Sequence, residues 1–151
     1  MKGFVEAGGR VVAISAATDF TIETFDLGVS SAVDGLSTSD FYIPGSILRL
    51  NLSAGNDITD GVPRENIAWY WRSSRAFSVD DPAINVLARY GVGNPLLSGW
   101  VLGHEHVAGK PALLEAEVGG GSVVLFGFPP NYRGQTIASW PLLFNALFYR
   151  K

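Results

Sequence analysis

The sequence predicts one α/β domain in which helices cover an open sheet. The apolar run Val11 to Ile14 follows a glycine pair and is typical of a strand covered on both faces. A second apolar run, Val123 to Phe128, leads through a polar turn into an apolar helix. Between these runs, short segments alternate apolar and polar residues as half-buried strands do. We therefore expect helices at both ends of the chain and added antiparallel strands between them.

Composition limits the classes of function. With 151 residues, 47% hydrophobic and 17% charged, the chain suits a single folded domain, 1–151. A net charge of -3 with a pI near 5.2 predicts no broad basic surface, and therefore no nucleic-acid partner. Because cysteine is absent, disulfides, thiolate metal sites and cysteine nucleophiles are excluded. The first residues contain no long apolar run, so we expect neither a signal peptide nor a membrane span.

The first forty residues predict two helices around one strand. Glycine adopts the left-handed cap conformation without steric cost, so Gly8 and Gly9 are expected to close the first helix. Thr18 or Asp19 is the expected N-cap of the second helix. The predicted elements are a helix ending at Ala7, a strand Arg10–Ser15, a helix running to Leu27 and a polar loop 30–40.

The remaining residues predict short strands and a final helix. Arg49 and Asn51 alternate with leucines and are expected to face outward. The glycines 119–121 predict a hairpin link between two strands rather than a phosphate-binding loop, because they precede a strand and not a helix. Ser139 is the expected cap of the last helix, which we expect to be buried against the sheet. The strands are expected at 47–52, 67–72, 84–90, 96–102, 113–118 and 123–128.

Two neighbouring histidines are candidate metal ligands. On an extended segment His104 and His106 would project to the same side. Two imidazoles without a third ligand form an incomplete site, so a polar loop is the favoured interpretation and we expect no metal. No serine lies in a Gly-x-Ser-x-Gly turn, and no catalytic residue is therefore assigned. The aromatic stretch Trp69 to Trp71 is expected to turn one face to the core and the other to a groove or subunit contact.

The turn after the 123–128 strand supplies the candidate ligand-binding residues, which are Asn131, Arg133 and Gln135. Ligands of open α/β sheets bind outside the carboxyl ends of the strands. Arg133 beside a helix N-terminus would hold a carboxylate or another anion. The alternative is that Arg133 pairs with a local acid or carbonyl and that the two prolines stiffen the turn.

Several segments together resemble a known family. Phe4 to Ala13 resembles the helix, Gly-Gly, strand segment of class I glutamine amidotransferase-like domains. Segments 41–49, 97–100, 108–110 and 124–128, with Arg133-Gly134-Gln135, look like the C-terminal domain of large bacterial proteins of the zinc carboxypeptidase type. The resemblance implies a flavodoxin-like three-layer open sheet whose usual first strands lie upstream of Met1. A sheet that lacks those strands would expose an edge and favour pairing with another chain.

The resemblance also implies that this chain lacks the groups that perform the amidotransferase reaction. Active amidotransferases use a cysteine nucleophile with a histidine and a glutamate after a late strand. Here that late turn is Phe128-Pro129-Pro130-Asn131, and a thioester cannot form without a thiolate. The segment His104-Glu105-His106 does not match the His-x-x-Glu zinc pair of the peptidase domain.

We therefore expect a non-catalytic accessory or assembly domain of a zinc carboxypeptidase-like protein, with no cofactor. Its partner would be a peptidase domain of the same or another chain, or a second copy of itself. The parent family suggests a secreted or periplasmic protein. The alternative function is binding of a small molecule or a peptide carboxylate at the turn 131–135. A small hydrolase with an unrecognised site ranks below both.

Overall fold

The computed structural model describes residues 1–148, and it has the open-sheet α/β fold that the sequence predicts. One sheet lies between helices on either face. The elements are α1 (Lys2–Glu6), β1 (Arg10–Ile14), α2 (Ala17–Phe25), β2 (Val29–Ser31), β3 (Ser46–Leu52), β4 (Glu65–Tyr70), β5 (Phe77–Val79), β6 (Asn85–Tyr90), β7 (Leu96–Ser98), β8 (Pro111–Val118), β9 (Gly121–Phe126) and α3 (Trp140–Phe148). Single 3-10 turns occur at His104–His106, Tyr132–Gly134 and Ile137–Ser139.

The strand order explains where a site can lie. The main sheet has the order β1-β9-β8-β6-β3-β4, with β7 also paired to β3, and β2 pairs with β5 in a separate ribbon. Among the strands of residues 1–148, only β1 and β9 pair in parallel, and each further pair along the main sheet is antiparallel. It follows that β1, β9, β6 and β4 all point the same way. Their carboxyl ends meet at one edge of the sheet, which we call the carboxyl edge.

Hydrophobic residues fill the space on both faces of the sheet. Along β1, Val12 and Ile14 face the cluster that includes Leu142 of α3, while Val11 and Ala13 face the cluster that includes Ile22 of α2. This alternation is the period-2 pattern of a strand covered on both sides. The continuous apolar run in β1 therefore has the origin that the sequence predicts.

Arg10 links the sheet to α3. Its Nε donates to the Ser122 hydroxyl at 2.8 Å, and its Nη2 lies 3.1 Å from Oε1 of the nearly buried Glu115. Nη1 donates to the Ala146 carbonyl oxygen at 3.3 Å. Asn56 also donates to Glu115, at 2.7 Å. The charge of a partly buried arginine is thus balanced at the point where β1, β8 and α3 meet.

The predicted glycine turns are confirmed. Gly8 and Gly119 have φ angles of 100° and 58°, in the left-handed region that glycine adopts without steric cost. The hairpin that joins β8 to β9 packs on the end of α1, where the Gly120 N–H donates to the Glu6 carbonyl oxygen at 3.1 Å. Neither cluster opens a helix, which agrees with their interpretation as turns.

The predicted caps of two helices are wrong. α2 begins after Ala16 without a side-chain cap, and both Thr18 and Asp19 lie inside its first turn. The Thr18 hydroxyl donates to the preceding Ser15 carbonyl oxygen at 2.6 Å. The Asp19 carboxylate binds the guanidinium of Arg75. Ser139 belongs to the 3-10 turn before α3, and its hydroxyl donates to the Pro130 carbonyl oxygen at 2.8 Å.

One strand prediction and one loop prediction also need correction. The strand expected at 96–102 ends at Ser98, because Gly99 has φ 101° and turns the chain. The Trp100 N–H then donates to the Ser46 hydroxyl at 2.9 Å instead of extending a ladder. The loop expected at 30–40 begins inside β2, whose partner β5 was not predicted from the sequence. Both differences arise from pairing with distant segments, which override local composition.

Candidate functional site

The carboxyl edge begins with an unusual serine. Ser15 follows β1, precedes α2 and has φ 54°, a conformation that costs a non-glycine residue on the order of 1 kcal/mol. Its N–H donates to the Phe126 carbonyl oxygen at 2.7 Å, which holds the strained turn against β9. Its buried hydroxyl has no hydrogen-bond partner in the described chain. A nucleophile needs an adjacent base, and no base is bonded to this hydroxyl in residues 1–148.

Arg75 is the main polar anchor of the carboxyl edge. The loop that follows β4 runs back toward β9, where the Arg75 N–H donates to the Gly127 carbonyl oxygen at 2.5 Å. Its guanidinium binds Asp19 through Nε at 3.0 and 3.2 Å and through Nη2 at 2.6 Å. Hydrogen bonding by Asp19 raises the pKa of Arg75 above its ordinary value. Arg75 thereby ties the loop to both β9 and α2.

Two buried tyrosines lie at the carboxyl ends of β4 and β6, and their hydroxyls differ in hydrogen bonding. Tyr90, the last residue of β6, donates its hydroxyl to the Arg75 carbonyl oxygen at 2.9 Å. Tyr70, the last residue of β4, is 2% exposed, and its hydroxyl has no partner in residues 1–148. Burial raises the pKa of both phenols above the usual value, so both remain protonated at neutral pH.

A cavity of about 320 Å³ lies at the carboxyl edge beside the end of β4. One wall is the segment that follows β2, and the other is the loop that follows β4. The polar lining includes Ser31, Asp34, Arg72 and Arg75, and four aromatic residues also line the cavity. The aromatic lining residues are Phe41, Tyr42, Tyr70 and Trp71. This size lies at the lower end of the range of small-ligand pockets.

The predicted binding turn lies near this cavity but does not line it. Asn131, Arg133 and Gln135 are exposed, and none of the three belongs to the cavity wall. Arg133 has φ 46°, and its guanidinium carbon lies 5.4 Å from the centre of the Tyr132 ring. The role of these three residues in binding stays a prediction.

Tyr132, which lies between the predicted residues, connects the turn to the cavity. Its ring stacks on Trp69 at 5.3 Å between centroids with 5° between planes, and it meets Trp71 at 5.0 Å. Trp71 in turn lines the cavity. The expectation for the aromatic stretch is met in part. Ala68 and Tyr70 face the core, while Trp69 and Trp71 are half-buried against the turn.

The two histidines do not lie on an extended segment as assumed from the sequence. His104–His106 forms a single 3-10 turn. The His106 ring packs edge-on against Phe41 at 6.0 Å, and His104 Nδ1 lies 3.6 Å from Glu105 Oε2. Residues 1–148 contain no group of three or more side chains suited to holding a metal ion.

The last helix is buried on one side only, so the expectation that it is buried against the sheet is met in part. Leu142 and Ala146 face the core, whereas Phe144, Leu147 and Phe148 are 49%, 52% and 76% exposed. The Phe144 ring lies 6.4 Å from that of Trp140 and 6.3 Å from that of Phe148. We call the surface formed by Trp140, Phe144, Leu147 and Phe148 the outer α3 face. Solvated helices normally present polar residues on such a face.

Sequence reasoning missed the residues that converge on the cavity. Ser31, Tyr70 and Arg75 are brought together by β-pairing between β2 and β5 and by the loop after β4. The available signal was the aromatic stretch followed closely by Arg72 and Arg75, which is unusual for a plain surface turn. That signal does not indicate that Ser31 lies at the same cavity.

Comparison with known proteins identifies the fold. No family model matches the sequence, and no curated protein matches it. The chain is similar in structure to a candidate GMP synthase subunit from Thermoplasma acidophilum, with a TM-score of 0.55 and 11% identity over 93% of this chain and 55% of the other. This likeness shows the fold alone, which is an α/β open sheet similar to that of the Thermoplasma subunit.

Two larger enzymes contain a similar structure. The β-galactosidase of Bacillus circulans sp. alkalophilus matches with a TM-score of 0.60 and 16% identity over 96% of this chain and 19% of the enzyme. The β-galactosidase of Rahnella sp. R3 matches with a TM-score of 0.52 and 20% identity over 97% and 20%. This chain thus spans about a fifth of each enzyme.

None of the helices in residues 1–148 has the length and apolarity needed to cross a bilayer.

Proposed function

We propose that this chain is a non-catalytic accessory and assembly domain that docks through the outer α3 face. The observation that carries the proposal is the aromatic and aliphatic surface on a helix whose other side is anchored in the core. Aromatic side chains concentrate at the centres of protein contacts, where they contribute most of the binding energy. The presence of a similar fold within much longer β-galactosidases supports a role as one part of a larger protein.

The proposed partner is a zinc carboxypeptidase-type domain, in the same chain or another, or a second copy of this chain. This part of the proposal rests on the resemblance of segments 41–49, 97–100 and 124–128 to the C-terminal domain of such proteins. The lack of cysteine and the absence of a base bonded to Ser15 within residues 1–148 support a non-catalytic role. The candidate metal ligands His104 and His106 have no part in it.

Charge on the outer α3 face is expected to weaken assembly strongly. Phe144→Glu with Leu147→Glu should weaken self-association, or binding to a zinc carboxypeptidase-type domain, by roughly 30-fold or more, because a buried apolar contact would be replaced by a desolvated charge. Sedimentation velocity over a wide concentration range measures self-association. Titration calorimetry with the peptidase domain measures the other contact.

A matched control keeps this result interpretable. Val92 is 81% exposed and lies in the loop after β6, outside the outer α3 face, so Val92→Glu should leave association unchanged. Melting temperatures of both variants should stay close to that of the wild type, since the substituted side chains are exposed. A wild-type chain that remains monomeric at every concentration and does not bind the peptidase domain would contradict the proposal.

A second candidate function is recognition of a small anion or peptide carboxylate at the turn 131–135. The observation that favours it is the exposure of Asn131, Arg133 and Gln135 on one short turn, with Arg133 held in a left-handed conformation. Short peptides should then raise the melting temperature, and Arg133→Ala should remove that increase. Asp57→Ala, in another polar turn, serves as a control. An equal increase in Arg133→Ala and wild-type protein would exclude the turn as the site.

A further inference from the structure

The cavity at the carboxyl edge combines aromatic walls with hydroxyl groups. Phe41 packs edge-on against Tyr70 at 6.1 Å between ring centroids, and Tyr42 and Trp71 complete the aromatic lining. Ser31, Thr38 and Ser74 also line the cavity and carry aliphatic hydroxyls. Aromatic faces contact the C–H groups of a ring, while hydroxyls both donate and accept hydrogen bonds. A ligand that matches this lining carries an apolar ring face and several hydroxyls.

Two of the lining hydroxyls lack partners in the described chain. The Tyr70 hydroxyl and the Ser31 hydroxyl are both buried, and neither has a hydrogen-bond partner in residues 1–148. Tyr90 shows that the fold can satisfy a buried phenol, because its hydroxyl donates to the Arg75 carbonyl oxygen at 2.9 Å. A buried polar group without a partner is costly, and such groups are few in native proteins. Ser31 and Tyr70 line the cavity from its two walls, so one ligand seated between the walls would be placed to bond both.

The charges around the cavity are balanced. Arg75 is held by Asp19 through three hydrogen bonds and also lies close enough to Asp34 for that carboxylate to influence it. Arg72 stands exposed at the rim. Two cationic and two acidic side chains therefore leave no net charge to attract an ion, and an uncharged ligand fits better than an anion or a cation.

We propose that this cavity binds an uncharged polyhydroxylated ring compound of monosaccharide size. Its hydroxyls would bond Tyr70 and Ser31, and its C–H face would lie against the aromatic wall. The volume of about 320 Å³ suits a single ring better than a longer chain. This site is distinct from the outer α3 face and from the turn 131–135, so it goes beyond the proposed function.

Ligand-observed saturation-transfer NMR tests the proposal with D-glucose, D-galactose, D-mannose and D-xylose as probes. Acetate and glycine serve as charged probes of similar or smaller size. At least one sugar should receive saturation from the protein and bind more tightly than either charged probe. No transfer to any of the four sugars, or stronger binding of acetate or glycine, would overturn the proposal.

Single hydroxyl deletions locate the site. Tyr70→Phe and Ser31→Ala should each weaken binding of the responding sugar by roughly tenfold, because each removes one hydrogen bond to the ligand. Neither should lower the melting temperature of the unliganded protein, since these hydroxyls contribute no bond to the described fold. Tyr132→Phe, whose ring lies outside the cavity wall, should bind as the wild type does. Unchanged affinity in both deletion variants would contradict this placement.

Discussion

Replacing Gly127 with alanine is expected to lower the free energy of unfolding by about 3 kcal/mol or more. A Cβ at this position would overlap the carbonyl oxygen of Arg75 and lie 3.0 Å from that of Ala112. Both obstacles are backbone atoms, so no side-chain rotation relieves the contact. The loop after β4 would have to move away from β9, which would break the hydrogen bond between Arg75 and Gly127. Urea denaturation followed by tryptophan fluorescence measures the change.

The same substitution at Gly3 is the matched control. Gly3 lies in α1, and a Cβ there would have no atom within 4 Å. Alanine should leave stability unchanged or raise it by up to about 1 kcal/mol, because alanine favours the helix. Equal unfolding curves for the two variants would show that the contact between Gly127 and the loop is loose, which would contradict the described carboxyl edge.

Leu142→Ala should destabilise the domain by about 2–5 kcal/mol. Leu142 is completely buried on the inner side of α3, where it packs with the cluster that includes Leu48, Leu50 and Phe126. Truncation would leave a cavity that the rigid sheet cannot close. Thermal and urea unfolding both report this loss.

Leu147→Ala, on the same helix, distinguishes the contribution of α3 to folding stability from its contribution to association. Leu147 is 52% exposed, so the same chemical change should cost less than about 1 kcal/mol in the isolated chain. In the proposed assembly it should instead weaken association, whereas Leu142→Ala should act on folding. Equal losses of stability in the two variants would mean that α3 does not have the buried and exposed sides described.

Local pattern was enough to predict most strands. The segment Ser46–Leu52 alternates buried and outward side chains, and its position was predicted to within one residue. The hairpin at 119–121 was predicted because tight turns favour glycine, and Gly119 does have a positive φ. Such features depend only on neighbours in sequence, which is why a single sequence reveals them.

The cavity could not be predicted in the same way. Ser31 and Tyr70 are far apart in sequence and meet only because β2 pairs with β5 and the loop after β4 returns across the edge. The cap of α2 was also wrong for a tertiary reason, since Asp19 pairs with Arg75 instead of with the helix backbone. In both cases a distant partner decides the role of the residue. The turn 131–135 was selected by position alone, and its binding role stays a prediction.

Arg75 contributes three different groups to three different elements. Its N–H is held by β9, its carbonyl oxygen by Tyr90 of β6, and its guanidinium by Asp19 of α2. Because this single residue also forms part of the cavity wall, it connects α2 directly to the cavity. We therefore expect a shift of α2 to move part of the cavity wall, and a ligand in the cavity to restrain α2.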